Sequence, residues 1–114
     1  MALPTSLYVI LDREAAGGRD LPPLLDAVLA GGCRLVQLRD KTMPLNDLYP
    51  VARALRRRCR DAGCLFIVND RVDLALALDA DGVHVGQDDL PAREAKRLLR
   101  PGMILGVSTH GRAG

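Results

Sequence analysis

Aromatic side chains are scarce in this 114-residue chain, which has no tryptophan, two tyrosines and one phenylalanine. Its core must therefore be built from Ala, Leu, Val and Ile, which suits packed layers of helices and strands better than an aromatic-rich β-sandwich. Hydrophobic residues make up 48% of the chain and charged residues 26%, so disorder and low complexity are excluded. A chain of this length can form one core without disulfide or metal crosslinks.

An excess of one charge and long apolar runs are also lacking. Lys and Arg number 16 against 14 Asp and Glu, and the net charge of +2 is too small to indicate a nucleic-acid or membrane surface. No segment approaches the roughly 20 apolar residues of a membrane-spanning helix, and the run from Leu7 to Leu11 is too short for a signal peptide. We expect a soluble, cytoplasmic protein that binds small molecules and neither nucleic acid nor membrane, with oligomerisation left open.

Several motifs that carry chemistry are absent. The three cysteines, Cys33, Cys59 and Cys64, are odd in number and lack CxxC spacing, so we interpret them as reduced structural thiols of a cytosolic protein. With only His84 and His110 beside them, no zinc-binding pattern exists. No GxGxxG or Walker sequence is present, which argues against a nicotinamide enzyme.

Short β-like segments alternate with helix-like segments along the chain. Strands are predicted at 7–12, 34–40, 65–70, 82–86 and 103–108. Helices, with apolar residues at three- and four-residue spacing, are predicted at 21–31, 45–62, 71–78 and 91–99. This alternation is typical of an α/β fold with a parallel sheet, not of hairpins.

No helix-like segment follows the fifth predicted strand. A complete five-stranded doubly wound sheet is one interpretation of this order. The first five strands of an eight-stranded parallel (β/α) TIM barrel, a fold that typically runs to about 250 residues, is the more economical one. We therefore expect residues 1–114 to form a single, truncated TIM-barrel domain.

Polar side chains collect toward the end of the second predicted strand. Gln37, Arg39 and Lys41 share one side of it by the period-two rule. Parallel strands are normally covered on both faces, so an amide and two cations are costly there unless an anion meets them. Ligands bind at the carboxyl ends of strands in barrels and open α/β sheets. An edge strand with one solvent-exposed face is the alternative.

Acidic side chains follow the third and fourth predicted strands. Neighbouring strands lie about 5 Å apart, so Asp70 and either Asp88 or Asp89 can converge on one hard cation. Mg²⁺ is the natural candidate, because it commonly bridges carboxylates to a phosphorylated substrate. Taken singly, these residues are better explained as helix N-caps. Taken with Arg39 and Lys41, they indicate a diphosphate clamp.

Other features favour structural roles. A single histidine within a strand, His84, is usually a hydrogen-bonded core residue, and Ser108 has no nearby base that would indicate serine hydrolysis. Gly86 marks a close approach of backbone or ligand. The arginine run at 53–60 lies away from the apolar stripe of its helix and is interpreted as a solvated face.

Four segments together resemble the thiamine phosphate synthase family, in the family's order and spacing. They are QLRDK at 37–41, NDRVDLA at 69–75, ADGVHVGQDDLP at 80–91 and GVSTH at 106–110. The third segment is long and specific, and the resemblance covers the N-terminal part of the family's chain. Members are TIM-barrel transferases of thiamine biosynthesis that join hydroxymethylpyrimidine diphosphate to thiazole phosphate, giving thiamine phosphate and diphosphate.

The resemblance implies a role for each matching residue. It implies diphosphate contacts by Arg39, Lys41 and Asn69, Mg²⁺ binding by Asp70 and Asp89, pyrimidine-side contacts by Gln37 and Ser108, and a catalytic set of Arg39, Lys41 and Ser108. It also implies departure of diphosphate assisted by Mg²⁺, followed by attack of the thiazole nitrogen. Asp40, where the family commonly has Glu, is expected to point away from the site with little consequence.

The family's later strands, which carry the thiazole phosphate site, have no counterpart in these residues. We therefore expect this chain to hold half of a site and to need the other half for catalysis. Two alternatives stay open: a barrel protein similar to thiazole tautomerase, against which Asp70 together with Asp89 argues, and a non-catalytic half-barrel that binds phosphate.

Overall fold

The structure, a computed structural model, describes residues 8–14, 17, 20–86 and 90–107. Its strands are β1 (Tyr8–Asp12), β2 (Leu35–Arg39), β3 (Leu65–Asn69), β4 (Gly82–Val85) and β5 (Ile104–Val107). Its helices are α1 (Leu21–Ala30), α2 (Leu45–Asp61), α3 (Val72–Leu78) and α4 (Ala92–Leu98). The predicted elements are confirmed with bounds that differ by at most one residue, although positions 7 and 108 lie outside the described residues.

All five strands are parallel and pair in chain order, β1-β2-β3-β4-β5. A doubly wound sheet reverses its strand order at a switch point, whereas each strand of a (β/α) barrel pairs with the next one in sequence. The order therefore confirms the barrel-type prediction over the doubly wound alternative. It also shows that the edge-strand interpretation of β2 is wrong, because β2 pairs with β1 on one side and β3 on the other.

One face of the sheet packs beneath the helices. The alternate residues Val36 and Leu38 of β2 and Phe66 and Val68 of β3 are buried there, in register with one another. They meet apolar side chains at helical spacing, such as Leu55 of α2. Full burial of each such side chain contributes about 1.5–3 kcal/mol of hydrophobic stabilisation.

The other set of alternate residues forms what we call the open face of the sheet. By register it comprises Tyr8, Ile10 and Asp12 of β1, Leu35, Gln37 and Arg39 of β2, Leu65, Ile67 and Asn69 of β3, Gly82 and His84 of β4, and Ile104 and Gly106 of β5. Among these, Tyr8, Ile10, Leu65 and Ile104 are 41–51% exposed. The described helices thus cover only one face of the parallel sheet.

The arginines of α2 are not simply a solvated face. Arg56, whose side chain is only 12% exposed, donates Nε and Nη2 hydrogen bonds of 3.1 and 3.0 Å to the carbonyl of Asp79 and lies 3.6 Å from Asp81. Arg58 pairs with Asp26 of α1. The prediction of a solvated run is wrong for Arg56, which ties α2 to the turn between α3 and β4.

The three cysteines are free and buried, as structural thiols should be. Burial raises the pKa of Cys59 to about 11 and that of Cys64 to about 12. Both thiols are therefore protonated, and unreactive as nucleophiles, at neutral pH. Among the described residues, no helix is long and apolar enough to cross a membrane.

Two glycines of the sheet are approached closely, Gly82 by the backbone of a neighbouring strand and Gly106 by a side chain. Gly86, for which the sequence predicts a close approach of backbone or ligand, lies just after β4, and that expectation stays a prediction. A Cβ on Gly106 would lie 2.6 Å from Nδ1 of the half-buried His84, and one on Gly82 would lie 2.3 Å from the Ile104 carbonyl oxygen. Glycine at 82 therefore lets β4 and β5 pair closely.

Replacing Gly82 with alanine should destabilise the fold. The new Cβ would press on the backbone of β5, and overpacking of this kind costs about 1–3 kcal/mol. Urea unfolding should therefore show a lower midpoint for Gly82→Ala. Gly31→Ala is the matched control, because its Cβ would lie at an ordinary 3.5 Å from the nearest atom. Equal midpoints for the two variants would contradict the packing argument.

Candidate functional site

The described candidate residues gather at the carboxyl ends of β2 and β3. Gln37 and Arg39 belong to β2, Lys41 follows it by two residues, Asn69 ends β3 and Asp70 comes next. Pairing of these two strands carries Arg39, Lys41, Asn69 and Asp70 to one rim, and Gln37, opposite Ile67 in mid-strand, lies below it. The arrangement is the one predicted for these residues.

Lys41 and Asp70 face each other across this rim. The Lys41 Nζ lies 3.7 Å from Asp70 Oδ2, and both side chains are at least one-third exposed. At that exposure the pair contributes at most about 1 kcal/mol to stability. Its significance is positional, because it places a cation and a carboxylate from neighbouring strand ends within reach of one small ligand.

Asp70 does not act as the N-cap of the following helix. The N-cap residue of α3 is Arg71, so the capping alternative is wrong for Asp70. The backbone of Asp70 has φ of 71°, in the left-handed region, and its N–H donates a 2.7 Å hydrogen bond to the His84 carbonyl of β4. Non-glycine residues held in that region cluster at functional sites.

Arg39 is held by an acidic residue that sequence reasoning missed. Its Nη1 donates a 3.1 Å hydrogen bond to Oδ2 of Asp12, at the end of β1. A polar cavity of about 150 Å³ adjoins this pair, lined by Asp12, Glu14, Arg39, Asp40, Lys41 and Thr42. The register of β1 and β2, which sets Asp12 opposite Arg39, brings the two together.

Gln37 sits in a chain of polar side chains that crosses three strands. It is only 3% exposed. Its Nε2 donates to the hydroxyl of Tyr8, and its Oε1 accepts a 2.7 Å hydrogen bond from Asn69 Nδ2. These bonds fix which end of the Gln37 amide faces each strand. Tyr8 was not predicted, because the register that brings it near Gln37 is not evident in the sequence.

Asp40 is the second residue whose importance was missed. Its carboxylate accepts 2.9 Å hydrogen bonds from the backbone N–H groups of Thr42 and Met43 and a 3.2 Å bond from Arg13 Nε. Burial alone raises the pKa of Asp40, but these backbone donors and Arg13 outweigh it and hold the pKa below the usual 3.8. Asp40 thus orders the turn that carries Lys41, and the expectation that aspartate in place of the family's usual glutamate has little consequence stays a prediction.

Three predicted residues, Asp88, Asp89 and Ser108, lie outside the described residues. Within the described ranges, no group of three His, Cys, Asp or Glu side chains could hold a metal ion. His84 is half-buried in β4 between the buried Val83 and Val85. This alternation agrees with its predicted place on the side of the sheet opposite to the two valines.

Comparisons with known proteins point to one family. The sequence profile described as thiamine monophosphate synthase matches residues 7–114. A putative thiamine-phosphate synthase of Geobacter sulfurreducens is 52% identical over 109 residues, which are 96% of this chain and 51% of that protein. The thiamine-phosphate synthase of Moorella thermoacetica is 52% identical over 102 residues, 90% of this chain and 49% of that protein.

A solved structure agrees with these relatives. Thiamine phosphate pyrophosphorylase from Pyrococcus furiosus superposes with a TM-score of 0.74 at 41% identity, over 88% of this chain and 48% of that chain. The chain spans about half the length of the curated relatives that it matches.

Replacing Asp40 with alanine should lower stability at neutral pH by about 1–3 kcal/mol, because the backbone N–H groups of Thr42 and Met43, in part-buried hydrogen bonds, and the Arg13 guanidinium lose a charged acceptor. The effect should depend on pH. A carboxylate whose pKa is lower in the folded state stabilises fully above its unfolded value, near 3.8, and loses this contribution as pH falls through the folded value.

Urea unfolding at pH 7 and at pH 3 checks this prediction. The gap in unfolding free energy between the wild type and Asp40→Ala should narrow at the lower pH. The exposed Asp61→Ala serves as control and should change stability little at either pH. A gap that stays constant or widens in acid would show that Asp40 does not act through its charged form.

Proposed function

Because the chain belongs to the thiamine monophosphate synthase family, we propose that it supplies the pyrimidine-diphosphate half of a thiamine phosphate synthase active site. The complete enzyme would be a transferase that joins hydroxymethylpyrimidine diphosphate to thiazole phosphate, releasing diphosphate. The observation that carries this proposal is the 3.7 Å approach of Lys41 to Asp70 at the rim that β2 and β3 share. It brings together the charges that a metal-bound diphosphate requires.

Magnesium suits the donor set of this rim. The Asp70 carboxylate is a hard oxygen ligand, partly exposed, and its contact with Lys41 is long enough for an incoming cation to compete. We propose Asp70 and, following the family resemblance, Asp89 as the protein ligands. When bound, Mg²⁺ would neutralise part of the charge of the diphosphate.

Arg39 and Lys41 would stabilise the departing diphosphate. Both side chains are about half exposed, at 48% and 47%; Arg39 pairs with the carboxylate of Asp12 and Lys41 lies near that of Asp70. A diphosphate carries more negative charge than either carboxylate, and an arginine can donate two parallel hydrogen bonds to it. Stabilising this leaving group needs no covalent nucleophile.

Gln37 and Asn69 would align the substrate. Because Tyr8 and Asn69 hold the Gln37 amide, it can present a fixed pattern of polar atoms to a pyrimidine ring. Asn69 keeps a second N–H for the diphosphate, and Ser108 is proposed on the pyrimidine side. Holding two reactants in one orientation supplies a large part of the rate in reactions of this type.

The remaining chemistry needs residues beyond this chain. We propose that catalysis requires the thiazole phosphate half of the site, and that the complete enzyme works in the cytoplasm, where the three free thiols stay reduced. The relatives described above are named as synthases, which favours this activity over that of a tautomerase-like barrel protein.

Removing the charge of Arg39 or of Asp70 should weaken magnesium-dependent binding of hydroxymethylpyrimidine diphosphate at least tenfold, since a hydrogen bond to a charged group contributes about 1.5–3 kcal/mol. The variants are Arg39→Ala and Asp70→Asn. Asparagine is chosen at position 70 because it tolerates the left-handed backbone there. Isothermal titration with and without Mg²⁺ measures the effect.

Two variants control for charge and backbone. Asp79→Asn changes another aspartate with positive φ, of 52°, at the C-cap of α3 and away from the rim. Arg53→Ala removes an exposed arginine of α2. Both should bind as the wild type does. Unchanged affinity in Arg39→Ala and Asp70→Asn would contradict the proposal that these side chains hold a diphosphate. An equal loss of affinity in the two control variants would contradict it as well.

A further inference from the structure

Arg71 joins the two turns that carry the facing charges of the rim. Its Nη2 donates a 3.1 Å hydrogen bond to the carbonyl of Met43, in the turn that holds Lys41. In the chain, Arg71 comes directly after Asp70. The contacts therefore form a closed circuit, because Lys41 Nζ lies 3.7 Å from Asp70 Oδ2 and Arg71 bonds to Met43 beside them.

The backbone of Arg71 is anchored on both β3 and α3. Its N–H donates a 2.8 Å hydrogen bond to the carbonyl of Asn69, which closes a three-residue turn around Asp70, and its carbonyl accepts a 3.1 Å bond from the N–H of Ala75. A turn of this kind, with φ of 71° at its centre, is rare and strained, and it persists only where its surroundings hold it. The side chain of Arg71 thus extends from a fixed point.

The Met43 end of the bond belongs to a segment outside the regular elements. Residues 40–44 lie between β2 and α2. The Asp40 carboxylate shapes this segment internally through the N–H groups of Thr42 and Met43, but those two bonds do not connect it to β3. The hydrogen bond from Arg71 supplies such a connection, from a residue 28 positions beyond Met43.

We propose that Arg71 is a positioning residue, which sets the distance between Lys41 and Asp70 before a metal-bound diphosphate arrives. This inference rests on the proposed function, because it assigns Arg71 a task in the same site. Arg71 acts through the turn of Lys41 and does not itself hold the diphosphate. Charged groups that are already in place when the ligand arrives lower the cost of binding.

A double-mutant cycle with Lys41 tests this role. Isothermal titration measures the binding of inorganic diphosphate with Mg²⁺ to the wild type, Arg71→Ala, Lys41→Ala and the double variant. Arg71→Ala should weaken binding about fivefold when Lys41 is present and less than about twofold when it is absent, since it then has nothing to position. Equal losses in the two backgrounds would overturn the proposal, because they would show that Arg71 acts on the diphosphate itself.

Two further variants separate the hydrogen bond from other effects. Arg71→Lys keeps a donor for the Met43 carbonyl and should bind diphosphate within about twofold of the wild type. Arg100→Ala is the matched control, because Arg100 also donates to a backbone carbonyl, that of Leu76, over 3.0 Å, but lies near the C-cap of α3. It should bind as the wild type does. A loss in either variant as large as that in Arg71→Ala would overturn the proposal.

Amide hydrogen exchange tests the positioning without a ligand. The amides of Thr42 and Met43 should exchange about fivefold faster in Arg71→Ala than in the wild type, because the turn loses its bond to Arg71. Thermal unfolding should stay within a few degrees, since the Arg71 side chain makes no capping bond to α3. Unchanged exchange would overturn the proposal. If the wild type binds no diphosphate, the proposed function fails, and the exchange result still decides whether Arg71 holds the turn of Lys41.

Discussion

The parallel pairing of β2 with β3 is the constraint on which the candidate site depends. Because both strands point the same way and Leu38 lies opposite Val68, their carboxyl ends finish at one rim. That pairing sets Lys41 3.7 Å from Asp70, although the two residues are 29 positions apart in sequence. An antiparallel arrangement of the same segments would place these charges at opposite ends of the sheet.

Buried polar contacts beneath the rim give its charged side chains a defined place. Asp40 orders the turn that carries Lys41, and Gln37 links β1 to β3 through Tyr8 and Asn69. Above them, Arg39 pairs with Asp12, and Lys41 lies near Asp70. This layering sets exposed charged side chains above ordered polar contacts, as the proposed diphosphate site requires.

The sequence predicted the elements well because local periodicity determines them. Every described helix and strand was found within one residue, and the rule that ligands bind at strand carboxyl ends located Arg39, Lys41 and Asp70 together. It did not predict Tyr8 or Asp12, because their roles depend on strand register, which the alternation of a single strand does not specify. Arg56 was misjudged for a similar reason, since its acceptors belong to a distant turn. The role of Asp40 was missed although its hydrogen bonds to Thr42 and Met43 are local ones, of a kind that aspartate commonly makes in turns.

Paramagnetic NMR tests the central claim, that a metal-bound diphosphate sits at the shared rim of β2 and β3, most directly. Mn²⁺, which accepts the same oxygen ligands as Mg²⁺, is added with inorganic diphosphate to the isotopically labelled chain, and the broadening of backbone amide signals is mapped. The account predicts that the amides of Lys41, Asn69 and Asp70 broaden first, while that of Asp79 at the far end of α3 is unaffected. Broadening centred on the arginines of α2, or spread evenly over acidic surface residues, would contradict it.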